Sequence, residues 1–148
     1  MIRCVVDTNI FINAIFSDGF KNDEQVLDYE QNGSIKFVFS NYTANELWTI
    51  FSRTIGEKRI FESEEFFREL YLTINRSARI DVPPKLQKLS SDKSDQPFIE
   101  LAVAAQANYF ITNDLSNGLI DLGEYQGVKI VKPAQFIREL RRINRRAN

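Results

Sequence analysis

Two kinds of apolar pattern alternate along the chain. Short, mostly continuous apolar runs occupy Arg3–Val6, Ile35–Phe39, Ala78–Val82, Tyr109–Thr112 and Val128–Val131, and they are rich in Val, Ile and Phe. Such runs are what strands covered on both faces of a sheet look like. Between them, apolar residues recur every three or four positions, which predicts helices at Asp23–Gln31, Tyr42–Thr54, Glu64–Asn75, Pro97–Ala107 and about Ala134–Arg145. Local signals support these spans. Gly33 and Gly56 suit left-handed helix ends, Ser63 suits an N-cap, and Pro97 falls in a first turn, where proline is tolerated. Phe66, Phe67, Leu70, Tyr71 and Ile74 share one face of the third helix. Phe98, Leu101, Ala102 and Ala105 form a stripe on the fourth, and its alanines allow close approach to a sheet. The last helix turns Phe136, Ile137, Leu140 and Ile143 inward and its arginines outward. Strands alternating with helices predict an α/β fold around a parallel sheet of about five strands.

The chain shows no internal repeat, no low-complexity segment and no flexible linker, so one domain is expected over residues 1–148, with Pro83-Pro84 as a rigid connection. Its 43% hydrophobic and 26% charged residues are those of a globular protein. No apolar run nears the roughly 20 residues of a membrane span, and Met1 leads directly into the first strand. The expected location is therefore the cytoplasm, with no membrane partner. Two absences narrow the chemistry. The single Cys4 excludes an internal disulfide and reads as a buried, reduced thiol. The lack of histidine excludes Ser-His-Asp and Cys-His catalysis and, with one cysteine, an ordinary zinc site. Any metal should then be a hard cation with oxygen ligands. Net charge is −1, but residues 138–146 are strongly basic and form a helix or tail over about 134–148.

Ligands of open parallel sheets bind beyond the carboxyl ends of the strands, where the strand order reverses. Four acidic residues fall at that edge. Asp7 ends the first strand and Asp114 follows the fourth; Asp95 opens the helix leading into the fourth, and Glu46 lies a turn into the helix after the second. Each has an ordinary structural role open to it. Asp7 and Asp95 suit helix N-caps, Asp114 a turn, and Glu46 a solvated helix face. Together they are harder to explain so, because two like charges about 4 Å apart repel by about 4 kcal/mol at an effective dielectric of about 20. A divalent cation is the simplest neutraliser.

Four segments carry a more specific likeness. Val5-Val6-Asp7-Thr8-Asn9-Ile10-Phe11-Ile12, Asn41-Tyr42-Thr43-Ala44-Asn45-Glu46-Leu47, Asp92 to Ala102 (Asp-Lys-Ser-Asp-Gln-Pro-Phe-Ile-Glu-Leu-Ala) and Tyr109-Phe110-Ile111-Thr112-Asn113-Asp114 resemble, in order, the four motifs of the PIN-domain family, in its prokaryotic toxin-like branch. The resemblance covers about Ile2 to Leu140. It implies a three-layer α/β/α PIN-like fold and a metal-dependent endoribonuclease, the toxin of a toxin–antitoxin pair. By it, Asp7, Glu46, Asp95 and Asp114 are the catalytic and metal-holding quartet for Mg2+ or Mn2+. Asn9, Glu100 and Thr112 are supporting neighbours, with turn and strand-end roles equally open to Asn9 and Thr112. The implied partners are an RNA substrate, a cognate antitoxin and a second copy in a homodimer. Where many relatives carry a further acidic residue this chain has Ser116, which bears on a second metal ion.

Cations must line an approach for RNA. Lys21, Arg53, Lys58, Arg59 and Lys93 lie near the motifs, although surface charges are ordinarily just solvated. Arg141, Arg142, Arg145 and Arg146 suit RNA guidance, partner docking or a solubilising tail. Trp48 is the aromatic to watch at an interface. The rival readings are a HAD-like phosphatase, which requires an Asp where Asn9 stands; a receiver domain, which requires paired acids after the first strand; and a catalytically silent PIN-like module that binds RNA or protein.

Overall fold

Alternate residues of the central strands fall into two separate cores, one on each side of a sheet. The structure, a computed structural model, describes residues 1–89, 95–114 and 118–147. In β1 (Ile2–Val6), Cys4 and Val6 join one core and Val5 the other. β2 (Ile35–Phe39) divides Phe37 and Phe39 from Val38, and β4 (Tyr109–Ile111) divides Tyr109 and Ile111 from Phe110. β6 (Val128–Val131) divides Val131 from Ile130. This period of two is why the runs are apolar apart from Arg3, Lys36 and Lys129. Two short strands, β3 (Ala78–Arg79) and β5 (Glu124–Tyr125), complete a six-stranded sheet of order β3-β2-β1-β4-β6-β5. All pairings are parallel except β5 with β6.

The larger core is closed by α1 (Thr8–Phe16), α2 (Lys21–Gln31), α3 (Asn41–Glu57), α4 (Glu64–Arg76) and α7 (Pro133–Ala147). The smaller is closed by α5 (Gln96–Ala104), whose Phe98, Ile99, Leu101 and Ala102 are fully buried. A four-residue helix, α6 (Leu119–Leu122), precedes β5. The expected α/β fold with a mostly parallel central sheet is thus observed. No helix among the described residues is long and apolar enough to cross a membrane.

Several details differ from the sequence-based expectation. α1 was not among the expected helices; it follows β1 after a single residue, with only the polar Asp7-Thr8-Asn9 between their apolar residues. Six strands replace about five because Glu124–Tyr125 folds back on β6. The third strand stops at Arg79, although Ile80 still donates its N–H to the Phe39 carbonyl; Pro83 and Pro84 then take the chain away from the edge. α3 runs past Gly56, and its left-handed end is Arg59 (φ 53°). The Ile60 N–H bonds to the Ile55 carbonyl there, and both side chains pack in the larger core, as in a Schellman end. Gly33 (φ 83°) does end α2 in the expected way. Ser63 holds the N-cap position of α4 without a side-chain cap bond, because its backbone is already helical. Ile143 is exposed, since α7 outruns the core after Leu140.

The start of α3 is fixed by a reciprocal capping box. The Thr43 N–H donates to Ser40 Oγ (3.1 Å) and the Ser40 N–H to Thr43 Oγ1 (2.9 Å), with both residues buried. Ser40→Ala should cost about 1 kcal/mol. A fall of roughly 2–4 °C in Tm is expected for a chain of this size, and an unchanged thermal melt would remove the box's structural role.

Candidate active site

β1 and β4 end together at the point where the strand order turns from one side of the sheet to the other, and the first side chains past that end are polar. The Asp7 N–H donates to the Ile111 carbonyl (2.9 Å), continuing the ladder by one rung. Opposite it, Thr112 is fully buried, and its hydroxyl donates to Asp7 Oδ2 at 2.8 Å. The same hydroxyl accepts the Asp114 N–H at 3.1 Å. One threonine therefore joins the two carboxylate-bearing segments.

Asp7 is buried, and burial pushes its carboxyl pKa up. The Thr112 hydroxyl and the Asn9 and Thr8 amides at the start of α1 oppose that rise, and the neighbouring Asp114 charge adds to it. Asp7 stands in the N-cap position of α1 but its side chain makes no capping bond. Asp95, also buried, stands in the N-cap position of α5 and likewise makes no capping bond. A helix that precedes a parallel strand runs antiparallel to it, so α5 begins at the edge where β4 ends. By the same topology α3 leaves β2 at that edge, and Glu46 lies half-buried in its second turn.

The sequence-predicted residues are therefore distributed unevenly. Asp7, Thr112 and Asp114 are directly linked; Asp95 and Glu46 reach the same edge on flanking helices. Asn9 is exposed in the first turn of α1, and its backbone amide is what bears on Asp7. Glu100 turns to other work: it accepts the Leu86 N–H at 2.8 Å and a Gln96 amide hydrogen at 3.4 Å, pinning the segment after Pro84. Lys93 and Ser116 lie outside the described residues.

Arg141, Arg142, Arg145 and Arg146 are exposed and lie well away from the carboxylates. α7 starts at the carboxyl edge and runs back along the sheet, so Arg141 lies about 12 Å and Arg146 about 20 Å further down. Tyr109, the first residue of β4, feels the Arg142 guanidinium, and Lys129 near the start of β6 pairs with Glu139 at 3.5 Å. Arg142, Arg145 and Arg146 thus lie toward the opposite edge, while Arg141 donates to Gln25 Oε1 on α2 at 3.3 Å. Arg53, Lys58 and Arg59 also lie at the far end of α3 from its capping box. Lys21 is exposed in the first turn of α2, the turn that carries Asp23.

One residue of this region carries no motif. Asp23 is buried on α2 and accepts hydrogen bonds from Asn13 Nδ2 (3.1 Å) and Asn113 Nδ2 (3.0 Å). Its sequence signal is spacing. Asp23, Val26 and Glu30 recur at three and four positions, so two acids occupy the core-facing stripe of the helix. A buried charge needs partners. Glu30 finds them in a two-point pair with Arg76, at 2.7 and 3.2 Å.

All candidate ligands are carboxylate oxygens, a donor set suited to a hard divalent cation. The buried Asp7, whose charge Asp114 opposes, is the observation that fits such an ion. Among the described residues, no group of three or more acidic side chains is close enough to hold a metal jointly. The fit therefore rests on the Asp7–Asp114 pair.

A PIN-domain family model matches residues 3–116. The chain belongs to the PIN-domain family, whose members are generally nucleases. In fold it is similar to a chain of the crystal structure of VapBC2 from Rickettsia felis bound to a DNA fragment from their promoter, with 17% identity and a TM-score of 0.50, covering 88% of this chain and 98% of that one. No curated protein matches it by sequence.

Because folding raises the Asp7 pKa, protonation of Asp7 favours the folded state. That contribution is full below the unfolded value, about 3.9, and is lost as pH rises through the folded value. Asp7→Asn imitates the protonated form. In EDTA at pH 7 it should be more stable than the wild type to urea, and its advantage should shrink towards pH 4. A variant less stable than the wild type at pH 7 would contradict the account of Asp7 as a strained charge.

Proposed function

We propose that the chain is a metal-dependent endoribonuclease of the toxin-like PIN branch, hydrolysing RNA phosphodiester bonds with Asp7, Glu46, Asp95 and Asp114. The observation that carries this reading is the Asp7–Thr112–Asp114 arrangement, a buried carboxylate held beside a second one at the sheet's switch point. Asp7 and Asp114 would hold Mg2+ or Mn2+, with Asp95 and Glu46 as the contributions of the flanking helices. Such an ion lowers the pKa of a water and neutralises charge developing on phosphate. Thr112 keeps Asp7 oriented, and its hydrogen bond favours the ionised form that a cation requires. Asp95 or Glu46 accepts a proton from the attacking water. Without a cation this edge would repel phosphate. Lys21 is the cation placed to meet the RNA backbone.

An antitoxin protein and a second copy of the chain are the partners proposed with this activity, in the cytoplasm. The open spacing of the acidic groups favours one alternative, a silent PIN-like module that binds RNA or protein without cutting.

Cleavage of single-stranded RNA in Mg2+ or Mn2+ and its loss in EDTA separate the two readings. Asp7→Asn and Asp95→Asn should each lower kcat/KM by roughly 100-fold or more, about 2.7 kcal/mol or more of barrier, with native circular dichroism. Cleavage that persists in EDTA, or at full rate in either variant, overturns the mechanism.

The arginines of α7 should act on binding alone. Replacing Arg141, Arg142, Arg145 and Arg146 by Gln should weaken RNA binding and flatten its salt dependence by about 0.7 in slope per lost phosphate contact. Turnover of saturating RNA should hold, and its collapse would place these residues in the chemistry.

A further inference from the structure

We infer that Asp23 is a positioning residue for Asp114, acting through Asn113 as a clasp between α2 and the end of β4. The inference rests on the reading of Asp114 as a working carboxylate.

Three observations support it. The first is connectivity. A single oxygen, Asp23 Oδ2, accepts from Asn113 on the segment leaving β4 and from Asn13 on α1. α1 is the helix that begins directly after Asp7, and Asn113 is the neighbour of Asp114. Asp23 therefore ties together the carriers of both linked carboxylates, while Thr112 joins the same two segments from the strand side.

The second is the chemistry of the clasp. Asp23 is buried, and among the described residues no Lys or Arg forms an ion pair with it. A buried carboxylate with only neutral partners is a costly way to join two helices. An ionised carboxylate is an acceptor only, so it takes the Nδ2 side of both amides and fixes how each is turned.

The third is how Asn113 is held, next to an Asp114 whose own N–H bonds to the Thr112 hydroxyl. The Thr112 N–H bonds to Val131 as part of the sheet, and beyond Thr112 the ladder ends. Asn113 is exposed, so its amide bond to Asp23 is the anchor that ties its side chain to the helices. Loss of the clasp should let residues 113 and 114 move while the strand behind them stays in place.

Amide hydrogen exchange of the metal-free protein reads this without any activity. In Asp23→Ala, the Asp114 N–H should exchange at least about tenfold faster, while Phe110 and Ile130 in the sheet keep their wild-type rates. Asn113→Asp sets two carboxylates against each other and should loosen Asp114 at least as much. The double variant Asp23→Asn/Asn113→Asp exchanges donor and acceptor: the amide at position 23 donates to position 113, and the bond from Asn13, which shared the same oxygen, is given up. It should regain most of the protection at Asp114. With RNA, Asp23→Ala should lower kcat by roughly 10- to 100-fold, the range for loss of an outer-shell partner, and leave KM nearly unchanged. Unchanged exchange at Asp114 in Asp23→Ala overturns the proposal, as does faster exchange spread evenly over the sheet, which would mark a purely structural residue. Absence of cleavage in the wild type refutes the nuclease reading instead, and the exchange data then still decide whether the clasp exists.

Discussion

The register of β1 against β4 is the constraint on which the rest of the site depends. Val6 pairs with Ile111, so the next rung consists of Asp7 and Thr112, and both strands leave the apolar layer at the same height. A carboxylate is thereby set against the end of a dry sheet, where its charge is costly. A slip of one residue would turn every side chain of β1 to the other core and would take Asp7 from Thr112. The hydroxyl cannot be replaced by an aliphatic side chain of similar shape, because it both donates to Asp7 and accepts from Asp114. Packing on the two faces fixes the register, and the register fixes the chemistry.

Much of this was legible in the chain. The mostly apolar runs marked the four longer strands, because two-sided burial leaves charge only at Arg3, Lys36 and Lys129. The carboxyl edge that Asp7 and Asp114 share, with Asp95 and Glu46 on the flanking helices, followed from element order alone. α1 was hidden, because Ile10, Phe11 and Ile12 continue the β-branched and aromatic character of β1 after only the three polar residues Asp7, Thr8 and Asn9. Asp23 was hidden for a different reason. Its bonding partners lie 10 and 90 positions away, and only its place on the stripe shared with Val26 and Glu30 betrayed it. Glu100 shows the converse. A motif position was read correctly as part of a helix, yet its carboxylate binds the Leu86 backbone, since the chain after two prolines needs an acceptor there.

The near-zero net charge conceals a polar molecule. Carboxylates gather where the parallel strands end, and arginines gather where they begin, along the last turns of α7. Opposite ends of one helix thus lie in opposite fields, and Lys21, near the acidic edge on α2, is an exception to the separation. A polyanion is drawn to one edge and turned away from the other until a cation intervenes. In the proposed function this arrangement separates holding RNA from cutting it.

The outermost strands bear on how two molecules could meet. β3 and β5 have only two residues each, and the segment beyond β3 runs into Pro83-Pro84. A neighbour seeking to extend the sheet would find almost no ladder to join, a common defence against edge-to-edge growth. Any lasting association of this chain with another must use its helical surfaces. Its partners are then selected by side-chain shape and charge rather than by backbone hydrogen bonds, which any extended peptide can offer.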